Sequence, residues 1–259
     1  MITYTDLGRW SWLGNELFQY AAMLGVADRR GYDVRLPPSA QHHLGELIEL
    51  DVPTYTTEEL GRLRYRFAQR YPFFGYEPTL EEIPDWCDLF GFFQSSRHFP
   101  DGDRLRERFR IKADVGAAAE HLFSALPDER PVVGVHVRRG ETAAGTHWLQ
   151  LFDIGYYQRA LERFSDLDVQ FLLVSDEPDW CRENFALQDS TIVELAPAPV
   201  HFAVLARCDH LIIANSTFSW WAAWFQEPRG GRVVAPVEWY TPGGFDNAEQ
   251  ERRPHWVEV

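Results

Sequence analysis

The sequence predicts an α/β protein whose second half is a doubly wound parallel sheet. Two observations carry this. From Pro131 onward, short apolar and β-branched runs alternate with helix-period segments, the pattern of buried strands joined by crossover helices. Three of those strands also end in polar clusters, His136–Glu141, Ser175-Asp176-Glu177 and Asn215-Ser216-Thr217. The right-handed crossover rule brings such ends to one edge, where open α/β sheets hold their ligands.

The elements follow in chain order. Met1–Leu7 is expected as a first strand, followed by an irregular turn from Gly8 to Asn15. Glu16–Arg30 has helical periodicity, with Leu17, Tyr20, Ala21, Leu24 and Ala27 on one face and Gly31 as its stop. Tyr32–Leu36 is expected as the next strand. Gly14 and Asn15 therefore stand at a strand-to-helix junction, where free N–H groups meet ligands; Asn15 reads equally well as a helix N-cap. Between Gln41 and Glu82 the pattern weakens, and the aromatic run Tyr65–Tyr76 reads as core or as the lining of an acceptor groove. Asp88–Gln94 is strand-like, and Asp103–Phe123 reads as amphipathic helix. The proline-bounded loop Pro127–Pro131 is the expected domain boundary, giving domains 1–127 and 128–259.

Beyond it, strands are expected at Val132–Val137, Val169–Val174, Thr191–Leu195, Leu211–Ala214 and Arg232–Ala235. Helices are expected at Ile154–Phe164, Pro178–Phe185, Val200–Arg207 and Phe218–Phe225. The stretch Pro131–Glu141, PVVGVHVRRGE, runs from a strand covered on both faces straight into histidine, two arginines and glycine. Arg138, Arg139 and the backbone around Gly140 would present positive charge and N–H donors, which suits a phosphate. A strand end with two solvated arginines is the other reading of these residues alone.

Composition narrows the function. A formal charge of −14 argues against a nucleic-acid surface, so any phosphate site must be local. Cys87, Cys181 and Cys208 are an odd, widely spaced set, which reads as reduced thiols in a cytoplasmic protein. No stretch reaches the roughly 18 uninterrupted apolar residues that span a bilayer. The single lysine, Lys112, excludes a Walker A loop. Asp101-Gly102-Asp103 and Asp166-Leu167-Asp168 fit a D-x-D metal pattern, but neither lies at a strand's carboxyl end, and no metal is expected.

GRWSWLGNELFQYA, LFGFFQSSRHF, GVHVRRGE, LLVSDEPDWC and CDHLIIANSTFSWWAAWF, in this order, resemble the alpha-1,2-fucosyltransferase family of inverting, GDP-fucose-dependent glycosyltransferases. The resemblance runs from the first strand to about Pro236. It implies two Rossmann-like domains in a glycosyltransferase B-like arrangement, with the acceptor largely on the first domain and the GDP-sugar on the second. It also implies no metal or other cofactor. The implied partners are a GDP-sugar donor, GDP-fucose or a related one, and a glycan or small glycoside acceptor.

Breaking a sugar–diphosphate bond without a divalent ion requires cations and oriented N–H groups at the leaving phosphate. Arg138 is the candidate for this role, because a guanidinium can grip phosphate oxygens bidentately. Arg139 either shares the charge or fixes the loop. His136 is placed to bond ribose or phosphate, a satisfied core histidine being the alternative. Asn215, Ser216, Thr217 and Ser219 open a helix whose hydroxyls and N–H groups suit phosphate, some of them as plain caps. Trp220, Trp221 and Trp224 read as core. Glu141, where the family pattern has aspartate, and Asp176 are the carboxylates available as base or nucleotide ligand. By similarity, Asn15 touches the fucosyl–phosphate linkage. The chain departs from the family at Ser11-Trp12, where a glycine pair is usual, and at Glu16-Leu17 in place of Gln-Met, which implies a reshaped acceptor or donor pocket. Transfer of another GDP-activated sugar, or donor binding without catalysis, stays open.

Overall fold

The computed structural model describes residues 1–70, 74–100, 102–140, 151–185, 190–194, 196–241 and 253–259. It packs as two compact units, Met1–Lys112 and the described chain from Ala113 onward.

The first unit contains β1 (Ile2–Thr3), α1 (Leu13–Arg30), α2 (Leu44–Leu47), α3 (Thr57–Gly61), β2 (Tyr65–Ala68), β3 (Cys87–Phe90) and α4 (Gly102–Arg108). Its strands form a parallel sheet in the order β1-β3-β2. The expected strands at its start shrink. Only Ile2 and Thr3 of the first remain in the ladder, and Tyr32–Leu36 contributes just two bridges, Val34 to Ile2 and Leu36 to Thr54. Helix α1 buries Leu17, Phe18, Tyr20 and Ala21. Leu13 belongs to the same buried set, and its burial draws the helix start ahead of Glu16. Trp12, extended at φ −113° and ψ 172°, is therefore the N-cap, without a side-chain cap bond, and the N-cap reading of Asn15 is corrected. At the other end Gly31 adopts φ 69° and its N–H bonds the Ala27 carbonyl at 2.8 Å, the left-handed stop expected of glycine. The aromatic run is mixed: Tyr65 is exposed on β2, whereas Phe67 stacks on Phe93 and Tyr76 on His98.

The second unit contains α5 (Ala113–Phe123), β4 (Val132–Val137), α6 (Ile154–Glu162), β5 (Gln170–Ser175), α7 (Pro178–Asn184), β6 (Ser190–Val193), α8 (Ala198–Arg207), β7 (His210–Ile212), α9 (Thr217–Gln226), β8 (Val233–Ala235) and β9 (Val257–Glu258). Every pair in its sheet is parallel, in the order β6-β5-β4-β7-β8-β9, the doubly wound order expected. The strand β9 has no sequence forerunner, because two residues carry too little pattern. The units divide after Lys112 rather than near residue 127. Helix α5 packs on α8, where Arg207 pairs with Glu120 at 2.5 Å and lies 5.1 Å over the Phe123 ring. This packing, with Val115 and Ala119 of α5 buried, places the division ahead of the proline-bounded loop.

All six residues of β4 are buried, as its composition predicts. Val133, Val135 and Val137 face a core shared with Tyr156, Tyr157, Phe164, Leu173 and Cys181. The Tyr156 hydroxyl donates to the Ile213 carbonyl at 2.5 Å, tying α6 to the end of β7. On α9, Trp220, Trp221 and Trp224 are buried, as expected of core residues.

Candidate active site

Strand order fixes where a ligand can sit on the second unit. Chain progress leaves β4 through α6 toward β5 on one side, while β7 lies on the other, so the switch point falls between the carboxyl ends of β4 and β7. The segment after β4 carries Arg138, Arg139 and Gly140, and the segment after β7 carries Asn215 and Ser216 at the start of α9.

The carboxylate of Asp176, just past β5, organises the arginine loop. It accepts the Arg139 N–H at 2.9 Å and the Gly140 N–H at 3.1 Å, and it lies 3.1 Å from Arg138 Nε. Both side chains of the pair are about one third exposed, at 33%. Arg139 serves the second of its two expected roles. Its guanidinium donates to the Phe152 carbonyl and lies 4.1 Å over the Trp180 ring, so it ties the loop to the segment before α6 and to α7.

His136 is buried in β4, with its ring 5.5 Å from Phe218 of α9. Burial, then the Arg138 charge, drives its pKa down to about 3, so the ring is neutral near pH 7. Its Nδ1 has no hydrogen-bond partner among the described residues. The residues opening α9 divide in function. The Asn215 amide donates to the Trp239 carbonyl at 2.7 Å, and Ser216 stands at the N-cap without a side-chain cap bond. Ser219 is buried and its hydroxyl donates inward to the Ala214 carbonyl at 3.2 Å and the Ser216 carbonyl at 3.3 Å, which makes it a helix-start brace. Thr217 is the first helical residue and is half-buried. Glu141 lies outside the described residues.

On the first unit, Gly14 is buried in the first turn of α1, and the Asn15 Oδ1 accepts from Gln94 Nε2 at 3.0 Å. Ser11 is buried and bonds Gln19 at 3.2 Å, within a network that links Gln19 and the Tyr4 hydroxyl to the Gly91 backbone. Sequence reasoning missed Gln94 and Trp180 as partners. Both lie in the blocks that carry the family resemblance, which is the one signal that points to them. Among the described residues no group of His, Cys, Asp and Glu is arranged to hold a metal ion.

Chemically, the expectation that the backbone around Gly140 offers N–H donors is corrected, because Asp176 takes the Arg139 and Gly140 N–H groups; a fixed guanidinium and a helix start at the carboxyl edge of a parallel sheet are what suits an anionic group. Fold and sheet order define an α/β protein with a candidate ligand edge at the switch point of a doubly wound sheet. The chain belongs to glycosyl transferase family 11, whose model matches residues 80–259, and it is a glycosyltransferase. Galactoside alpha-(1,2)-fucosyltransferase 1 of Bos taurus is 28% identical over 268 residues, covering 95% of this chain and 73% of that protein. The alpha-1,2-colitosyltransferase of Escherichia coli is 30% identical over 166 residues, 59% of this chain and 56% of that protein. Among solved structures, POFUT1 in complex with GDP-fucose matches with a TM-score of 0.61 at 14% identity, covering 90% of this chain and 97% of that one. Fucosyltransferase NodZ from Bradyrhizobium matches at 0.55 and 15% identity, covering 86% and 92%. These two likenesses concern the fold.

Proposed function

We propose that this glycosyltransferase moves L-fucose from GDP-fucose to a hydroxyl of a glycan or glycoside, with inversion, as an alpha-1,2-fucosyltransferase. The acceptor oxygen bonds to the anomeric carbon while the bond from that carbon to the diphosphate breaks, its electron pair leaving on GDP. The observation that carries the reading is the Arg138–Asp176 loop at the switch point of a family 11 chain. Arg138 meets the leaving diphosphate, with the opening of α9, Asn215 to Thr217, as second donor group. Asp176 acts by holding the loop rather than as the base. His136, buried and neutral, is a short-range hydrogen-bonding group toward the nucleotide. Gly14 and Asn15 keep the role in the same reaction that the resemblance gives them.

The finer architecture is likewise our reading: both units are Rossmann-like, the first serving the acceptor and the second the donor. The parallel sheet of each unit supports it. Metal-independent catalysis follows from the arginine and helix-start donors. A cytoplasmic location is supported by three buried, unlinked cysteines, Cys87, Cys181 and Cys208.

A second donor reading has one specific observation in its favour, the likeness to a protein named for colitosyl transfer. Calorimetric titration with GDP, GDP-fucose and GDP-mannose, without metal, separates these readings. GDP-fucose binding tighter than GDP-mannose supports fucosyl transfer. Binding of GDP with no preference for the fucosyl group favours the second reading, and no GDP binding overturns both.

A further inference from the structure

Among the described tryptophans of the second unit, Trp239 stands apart. Trp180 lies under the Arg139 guanidinium, Trp220 packs against Trp221 and Trp256, and Trp221 meets Trp224. Core packing and loop anchoring account for those rings. Trp239 is just as deeply buried, at 7% exposure, yet no described ring or cation lies against it. Its indole Nε1 is shielded from water and has no hydrogen-bond partner among the described residues. A buried indole N–H ordinarily finds an acceptor, because leaving it unpaired forfeits the bond it makes to water.

The place of Trp239 in the sheet indicates where that acceptor comes from. The chain leaves the carboxyl end of β8 through Pro236 to Trp239, and β8 lies beside β7 in the order β4-β7-β8. Two bonds fix this segment. The Val237 N–H donates to the Val259 carbonyl at 3.2 Å, just past β9, and the Trp239 carbonyl accepts the Asn215 amide at 2.7 Å. Asn215 immediately precedes Ser216, the N-cap of α9. Trp239 is thereby tied to the helix start that the proposed function gives to the diphosphate. Across β7 from it, in the last turn of chain before Arg138, the buried His136 Nδ1 is also without a partner among the described residues. Two such groups thus flank β7 at the edge where a parallel sheet holds its ligand, and the acceptor that completes Trp239 belongs to that ligand.

We propose that Trp239 is a further nucleotide-sugar-binding residue, whose indole N–H hydrogen-bonds an oxygen of the donor's diphosphate. The inference rests on the transferase reading above and adds a third group to Arg138 and the start of α9. An N–H that meets an anionic oxygen makes a charge-assisted bond, stronger than one to a neutral acceptor. Indole suits the task, since it donates without carrying a charge and costs less to bury than a further guanidinium would.

The test follows the indole N–H proton signals of the full chain by NMR as GDP or guanosine is added. The Trp239 signal is assigned through the backbone of the labelled chain, so the reading survives should a variant fail to fold. Trp256 is the control, because its indole N–H is also without a partner but it precedes β9, at the amino end of that strand. GDP should move the Trp239 signal downfield and leave the Trp256 signal in place. Guanosine, which lacks the diphosphate, should move neither. By calorimetry, Trp239→Phe should weaken GDP binding about tenfold, whereas Trp256→Phe should bind GDP as the wild type does. A Trp239 signal unmoved by saturating GDP, an equal movement with guanosine, wild-type GDP affinity in Trp239→Phe, or an equal loss in Trp256→Phe overturns the proposal. A wild-type chain that binds no GDP removes the transferase reading and this one with it, whereas GDP binding with an unmoved Trp239 signal removes this one alone.

Discussion

Nε of Arg138 lies 3.1 Å from Oδ2 of Asp176, and this pair joins the segments that follow β4 and β5. The same carboxylate caps the backbone N–H groups of Arg139 and Gly140, so the loop is held in shape before any ligand arrives. Preorganisation of this kind is what lets a guanidinium stabilise developing charge without reorganising.

Arg138→Ala should therefore lower transfer on the order of a hundredfold or more and weaken GDP binding, with circular dichroism and thermal unfolding unchanged. Full activity with unchanged donor affinity in this variant would remove Arg138 from the site.

Asp176→Ala separates the loop's shape from its charge. The ion pair is partly solvated and should contribute less than about 1 kcal/mol to stability, so the urea midpoint should move little. GDP affinity should nevertheless fall, because Arg138 loses its orienting partner. A large stability loss with unaltered GDP affinity would make Asp176 a purely structural residue.

Gly25 in α1 gives a prediction opposite in sign to helix propensity. Glycine to alanine in a helix interior usually stabilises by about 1 kcal/mol. Here the added Cβ would lie 1.8 Å from the His98 carbonyl oxygen, a backbone atom that cannot swing away. Overpacking of this kind costs about 1–3 kcal/mol or more. Gly25→Ala should lower the melting temperature, and a rise would show that α1 and the His98 segment separate easily.

Acid should destabilise the protein well above the usual carboxylate range. The pKa of His136 is pushed from 6.5 to about 3, and that of His98 to about 4, each chiefly by burial. His98 has a further reason to stay neutral, since its Nε2 accepts the Glu77 N–H at 3.0 Å. The unfolded chain takes up these protons near pH 6.5 and the folded chain does not. Stability is thus fully present above that pH and falls as the pH drops toward the folded values, by a few kcal/mol in all. Urea midpoints between pH 7 and 5 should decline, and His136→Gln should flatten the slope. A level profile over that window would contradict the burial of these rings.

Turnover should also be insensitive to EDTA, since arginine and helix-start donors supply the positive charge. Activity lost to the chelator and restored by Mn²⁺ would reverse this.

The second unit was largely legible in the sequence. Strand Val132–Val137 falls where its composition places it, and α6 to α9 and β5 to β8 lie within a few residues of their expected spans. Buried parallel strands and crossover helices have local, periodic signatures, so the alternation specifies the sheet almost unaided. Arg138, Arg139, Gly140 and Asp176 are brought together as the strand ends predicted. The first unit was less legible. Its strands are short, its aromatic run is partly surface, and the burial of Leu13 moved the cap of α1 from Asn15 to Trp12.

The sequence by itself determined the doubly wound sheet, the polar strand end after β4 and the family, because periodicity and motif order are properties of neighbouring residues. Only the tertiary structure decided that Asp176 shapes the arginine loop, that α5 belongs with the second unit and that Glu16 grips His43. Each of those facts is a meeting of residues far apart in the chain, 27 positions in the case of Glu16 and His43, and such a meeting follows from how the elements pack and has no local pattern to announce it.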